Sequence, residues 1–103
     1  MASPMKIRAQ IQGSGAEIKI LISHPMETGR RREAGGAVVP AHFIQHVTLS
    51  HNGKAVLTSQ WGTAISANPF LSFTLKNAKK GDKITVQWVD NKNDTRTDEA
   101  IVG

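Results

Sequence analysis

From Lys6 the chain alternates polar and apolar positions, with Ile7, Ala9 and Ile11 on one face of an extended segment and Lys6, Arg8, Gln10 and Gln12 on the other. A side-chain period of two is that of a half-buried strand. After the glycine-bearing turn Gly13-Ser14-Gly15, Ala16 to Ser23 alternates again with Ile18, Ile20 and Ile22 inward, which predicts a hairpin. His42 to Ser50 and Lys54 to Trp61 flank His51-Asn52-Gly53-Lys54. Asn-Gly accepts the positive φ angles of a type I′ turn, whose twist matches that of the strands it joins. Three more alternating segments follow: Phe70 to Lys76, with Leu71, Phe73 and Leu75 on one face; Lys83 to Asp90, with Ile84, Val86 and Trp88; and a short one from Arg96 to Val102. Polar turns at Asn77 to Asp82 and Asn91 to Asp94 separate them. No window carries an apolar stripe at helical spacing.

The expected architecture is therefore all-β: an immunoglobulin/fibronectin-III-like antiparallel β-sandwich of about seven strands, filling residues 1–103 as one domain. With no cysteine it lacks the disulfide of antibody domains, and with no tyrosine it cannot form a tyrosine corner.

If Asn52-Gly53 is a two-residue turn, Leu49 pairs with Val56, Thr48 with Leu57 and Ile44 with Trp61, and paired residues share a face. Phe43, Val47, Leu49 and Val56 would then fill the core, while Ile44, Leu57 and Trp61 would form an apolar patch on the outer face that invites a partner. A β-bulge shifting the register by one residue would instead bury Trp61.

Ser23 to Pro40 interrupts the alternation with a long glycine- and proline-bearing stretch holding Arg30, Arg31 and Arg32. Loops of this length in compact domains are contact surfaces or solvated insertions. The net charge of +5 raises the question of nucleic acid, but these arginines are the only cluster, the lysines are scattered, and no aromatic RNA-reading motif is present. Neither nucleic acid nor a membrane is the expected partner.

Catalytic chemistry finds little support. Without cysteine there is no thiolate nucleophile or thiolate metal site, and the eight acidic residues fall mainly in turns and near the carboxyl end without a catalytic pattern. The glycines form no phosphate-cradling motif. No catalytic residue and no cofactor is assigned. Four histidines, His24, His42, His46 and His51, are the candidate metal ligands. On one strand His42 and His46 would stand roughly 13 Å apart, too far for one ion, whereas a helical turn starting at Pro40 would bring them together. His24 with Met26 and a further histidine describes the alternative of a periplasmic copper-binding sandwich.

Ser23-His24-Pro25-Met26-Glu27-Thr28-Gly29, the segment FIQHVTLSHNGKAVLTSQWG from Phe43 to Gly62, Asn68-Pro69-Phe70 and KGDKITVQWVDN from Lys80 to Asn91 together resemble the SoxZ family, the Z subunits of the thiosulfate-oxidising Sox system. The resemblance runs over nearly the whole chain. It implies an immunoglobulin-like, non-enzymatic subunit that forms a heterodimer with a Y subunit, whose carboxyl-terminal arm carries thiosulfate-derived sulfur on a cysteine between Sox enzymes. It also implies the periplasm, reached bound to a partner that bears the signal, since MASPMKIRAQ holds no apolar run of signal length. On this reading Ile44, Leu57, Trp61, His24 and Met26 are the expected partner interface, and Arg30, Arg31 and Arg32 a docking or steering loop.

Overall fold

A computed structural model describes residues 3–103; residues 1 and 2 of the expected domain lie outside the described range. Seven strands form: β1 (Lys6–Gln12), β2 (Gly15–Leu21), β3 (Ile44–His51), β4 (Lys54–Gln60), β5 (Phe70–Lys76), β6 (Lys83–Asp90) and β7 (Thr95–Ile101). They divide into a three-stranded sheet in the order β1-β2-β5 and a four-stranded sheet in the order β4-β3-β6-β7. All the pairings are antiparallel, so the all-β sandwich read from the alternation is what forms.

The core lies where the predicted inward positions of the central strands meet. Ile18 and Ile20 of β2, with Ile22 just beyond it, face Ile84, Val86 and Trp88 of β6, and each is at least 99% buried. Burial of such side chains contributes about 1.5–3 kcal/mol apiece. Gly15 begins β2 because the strand runs close against β5 there: a Cβ at this position would strike the Leu75 carbonyl oxygen.

The hairpin turn forms as predicted, with Asn52 and Gly53 at φ 51° and 87°. Its ladder then departs from simple pairing. His51 pairs with Lys54 and Ser50 with Ala55, but Leu49 pairs with Leu57, leaving Val56 as an extra residue in β4. This bulge reverses the parity of the rest of β4. Leu57 joins Leu49 on the inner face, and Trp61, bonded through its N–H to the Gln45 carbonyl at 2.8 Å, packs half-buried against the core. A second bulge, at Gln45, lies between the Ile44–Asp90 and His46–Val89 pairs and turns Ile44 inward beside Val47, with no exposed surface. The expected outer patch of Ile44, Leu57 and Trp61 is therefore corrected, because two bulges carry all three to the inner face. Val56, expected in the core, is 43% exposed.

The two sides of the sandwich close differently. Beyond β7 the chain continues along β1, where Ile11 N–H donates to the Gly103 carbonyl at 2.8 Å and Gly103 N–H to that of Ala9 at 3.0 Å. On the opposite side β4 and β5 are both sheet edges, and among the described residues no backbone hydrogen bond joins them.

The stretch between β2 and β3 is more ordered than its composition suggested. Glu27 and His42 form an antiparallel bridge and Arg32 and Val38 another, so the segment doubles back as a narrow arm. Arg31 pairs with Glu27 at 3.0 Å, the Arg32 guanidinium donates to the Gly36 carbonyl at 3.0 Å, and Arg30 is exposed.

Candidate functional site

Alternation does not stop where the strands stop. After Ile18, Ile20 and Ile22 the next inward positions are His24 and Met26, and after Ile84, Val86 and Trp88 the next is Asp90, all three buried. The inner faces of β2 and β6 thus end in polar groups at one end of the sandwich. The base of the arm adds His42. His24 Nε2 and His42 Nε2 lie 3.0 and 2.7 Å from the same oxygen, Asp90 Oδ2, and the two imidazoles stand edge-to-face with centroids 4.6 Å apart.

The hydrogen-bond pattern assigns the protons. Met26 N–H donates to His24 Nδ1 at 3.0 Å, so that nitrogen carries a lone pair and the imidazole proton sits on Nε2, donated to Asp90. The carboxylate is an acceptor, so His42 Nε2 donates as well. Asp90 Oδ1 accepts the Lys92 and Asp94 N–H groups, each at 2.9 Å. With four donors, a carboxylate that exposes no surface meets the condition for a tolerable buried charge. Burial pushes the Asp90 carboxyl up, but the hydrogen bonds from His24, Asp94, His42 and Lys92 outweigh it and leave it below its ordinary value. Burial pushes His24 down, more than its bond to Asp90 raises it, which keeps the ring neutral.

Met26 is held in the left-handed region at φ 48°, a conformation costing a residue with a side chain about 1–2 kcal/mol. Its N–H bond to His24 and the Ile44 N–H donated to its sulfur at 3.4 Å fix it there. The expectation that His24 and Met26 offer themselves to a partner is therefore corrected: they are 97% and 96% buried within their own domain.

His24, His42 and Asp90 place one ligand atom each within 4.8 Å of one another, a spacing a metal ion can bridge. The donor set argues otherwise. A metal-bound histidine ordinarily donates its second ring N–H to an acceptor, whereas the second nitrogen of His24 accepts a backbone N–H, so a metal on Nε2 would require an imidazolate. Hydrogen bonds to the shared Asp90 oxygen link the three residues. His46 is exposed, and His51 lies at the other end of β3, bonded to Asp82 at 2.7 Å, so the four histidines do not assemble into one site.

A cleft of about 350 Å³ opens beside the cluster, lined by Ser23, Pro25, Asn68 and Trp88 among others. Trp88 stands perpendicular to His24 with centroids 5.0 Å apart, and its buried indole N–H finds no acceptor among the described residues.

A second candidate site is the unclosed side of the sandwich. Two apolar hollows of about 190 Å³ each lie between β4 and β5, one bounded by Ile18, Leu49, Val56, Leu57, Phe73 and Leu75, the other by Val47, Leu57, Trp61, Leu71 and Phe73. Leu57, 37% exposed, borders both and half-buried Trp61 borders the second, so of the residues expected at an interface these two are placed to serve there. Sequence reasoning missed the β5 side, Leu71, Phe73 and Leu75, because their alternation reads as ordinary core.

Fold and sites together define a small antiparallel β-sandwich with a self-contained polar latch at one end and an uncovered apolar seam along one side. Residues 5–101 match the family described as sulphur oxidation protein SoxZ, and the chain belongs to that family. It is thus a subunit of the Sox sulfur-oxidation system. Among curated proteins none matches it significantly. Of solved structures, a variant of the superoxide reductase (neelaredoxin) from Archaeoglobus fulgidus, in the reduced form, is similar in fold. It has 19% identity and a TM-score of 0.58 over 95% of this chain and 84% of that one. At that identity the likeness is one of fold alone.

Proposed function

We propose that this chain is the non-catalytic half of a heterodimeric sulfur carrier: it holds a Y-type subunit whose cysteine-bearing arm conveys thiosulfate-derived sulfur between Sox enzymes in the periplasm. The observation that carries the reading is the asymmetry of the sandwich. One side is closed by the run of Gly103 along β1, while the β4–β5 side leaves Leu57, Trp61 and Phe73 around open hollows with two free strand edges. Monomeric proteins ordinarily cover such edges, and a partner strand or apolar ridge seated there would complete the core. Family membership supports a partner within the Sox system, and with no cysteine in this chain the sulfur attachment falls to that partner.

A tethered arm raises its local concentration at each enzyme without tight docking, which suits repeated hand-over. The exposed arginines of the hairpin arm add long-range attraction for acidic enzymes. Replacing Arg30, Arg31 and Arg32 with glutamine then slows turnover most at low ionic strength; equal rates at all salt concentrations remove that role.

The seam is tested by co-expression with the Y-type subunit and size-exclusion chromatography with light scattering. The native pair elutes as one heterodimer. L57D and V56D, both at exposed positions, leave the chain folded by circular dichroism but abolish co-elution. A heterodimer that survives both substitutions takes the seam out of the interface.

A further inference from the structure

The outer face of the β1-β2-β5 sheet carries a feature that neither core packing nor the heterodimer seam accounts for. Cross-strand register sets Lys6 opposite Leu21 and Leu21 opposite Phe70; in the next row Arg8 lies opposite Lys19, and Lys19 opposite Ser72. Phe70 is 60% and Leu21 39% exposed, neighbours on the water-facing side of the sheet. Arg8 and Lys19 are like charges directly opposite each other, an arrangement that destabilises an antiparallel pair. Lys19 has Glu17 at 3.2 Å, whereas Lys6 and Arg8 have no carboxylate within ion-pair distance among the described residues. Lys6, Arg8, Lys19, Leu21 and Phe70 border one shallow hollow of about 330 Å³.

Each half of this arrangement costs stability in the isolated chain. Together they are complementary to one kind of object: carboxylates to neutralise Lys6, Arg8 and Lys19, beside an apolar side chain to cover Leu21 and Phe70. We propose that this face docks an acidic protein segment bearing an apolar residue among its carboxylates, on a partner other than the Y-type subunit.

A nucleic acid or an anionic membrane fits less well. Membrane-binding clusters hold roughly 4–8 cations, whereas three border this hollow, the face's fourth, Lys76, standing at its far end opposite Gly15, and Glu17, on the same face, repels a dense row of phosphates. A strand-like partner segment suits the geometry, because alternate residues recur at about 6.6 Å along a strand, the spacing that separates Lys6 from Arg8 and Lys19 from Leu21.

The test titrates the full ¹⁵N-labelled chain with a ten-residue peptide in which one leucine is flanked by glutamates. The amides of Lys6, Arg8, Lys19, Leu21 and Phe70 shift saturably. R8E/K19E weakens binding at least about tenfold, the order expected for losing close charge partners, and F70A at least about threefold. A peptide with glutamine in place of glutamate does not bind. Shifts confined to the β4–β5 seam, heparin or phosphatidylserine vesicles binding the face as well as the peptide, or an F70A variant of unchanged affinity each overturn the proposal. Repeating the titration with Y-type subunit bound separates this inference from the heterodimer. Retained binding supports a second partner, and blocked binding assigns the face to the Y subunit and ends the proposal. A chain that forms no heterodimer leaves the peptide result standing by itself.

Discussion

His42 and Asp90, 48 positions apart in the chain, are joined by a 2.7 Å hydrogen bond that ties the base of the Arg30–Arg32 arm to the end of β6. Since His24 shares the same carboxylate oxygen and the other oxygen accepts the Lys92 and Asp94 N–H groups, the one side chain fastens the exit of β2, the entry to β3 and the β6–β7 turn. The latch sets where the arm leaves the sandwich and does so without exposing charge.

Replacing Asp90 with asparagine isolates the latch. The amide offers one acceptor oxygen where four donors converge, and His24 cannot switch tautomer while Met26 N–H occupies its Nδ1. Leaving a buried donor without its acceptor costs about 1–3 kcal/mol. Urea unfolding of D90N gives a midpoint well below that of the native chain, with His24 and Met26 amides losing protection from hydrogen exchange. A change under about 1 kcal/mol contradicts the network described.

Acid acts on the same cluster in two stages. The folded pKa of His24 lies below its ordinary 6.5, so the unfolded chain binds more protons there. Its contribution to stability is complete above 6.5 and is lost as pH falls through the folded value. Asp90 is lowered from 3.8, so its contribution, present above that pH, is lost as the pH drops further. Asp82, held at about 2 by His51, the Lys79 N–H and Asn52, adds to the lower limb. Urea midpoints at pH 7.5, 6, 5 and 4 fall in that order. A flat profile from pH 7.5 to 5 would show that His24 is not held neutral.

The proton assignment also forecasts metal content. Chain purified without chelator and dialysed against equimolar zinc or copper retains well under one ion per molecule by mass spectrometry of metals, and its melting temperature does not rise. Stoichiometric zinc or copper lost in H24Q reverses the assignment, because it requires His24 Nδ1 to release the Met26 N–H.

The central strands β2 and β6 were legible because their inward positions, Ile18, Ile20, Ile84, Val86 and Trp88, are apolar and strictly alternate, and Asn52-Gly53 announced its own turn. His24 and Asp90 were legible in principle: each is the next inward position after a run, Ile18-Ile20-Ile22 and Ile84-Val86-Trp88, but a polar residue after such a run reads as the strand's end. His42 was not, since it reaches the cluster only because the arm folds back through the Glu27–His42 bridge. The bulges were not legible either. An added residue leaves the local alternation intact and shows itself only against the partner strand, which is why Ile44 and Trp61 were assigned to the wrong face.

The bulge at Val56 makes the most specific demand on the chain. Deleting Val56 removes the unpaired residue and leaves a regular ladder in which Ala55 still faces Ser50 and Leu57 still faces Leu49, so every inner position keeps its partner. Deleting Thr58 instead removes a paired residue. The strand can then keep Ser59 opposite Val47 only by straightening the bulge, which turns Val56 inward against Leu49 and throws Leu57 outward. The two deletions differ by one residue type in an exposed edge strand, yet the first keeps Leu57 on the inner face while the second puts the smaller Val56 there, a loss of one buried methylene, about 0.8 kcal/mol. Leu57 also leaves the seam in the second case, so the Thr58 deletion weakens co-elution with the Y-type subunit and the Val56 deletion retains it. Equal co-elution for the two variants would mean that β4 slides freely along β3 and that register does not place Leu57 at the seam.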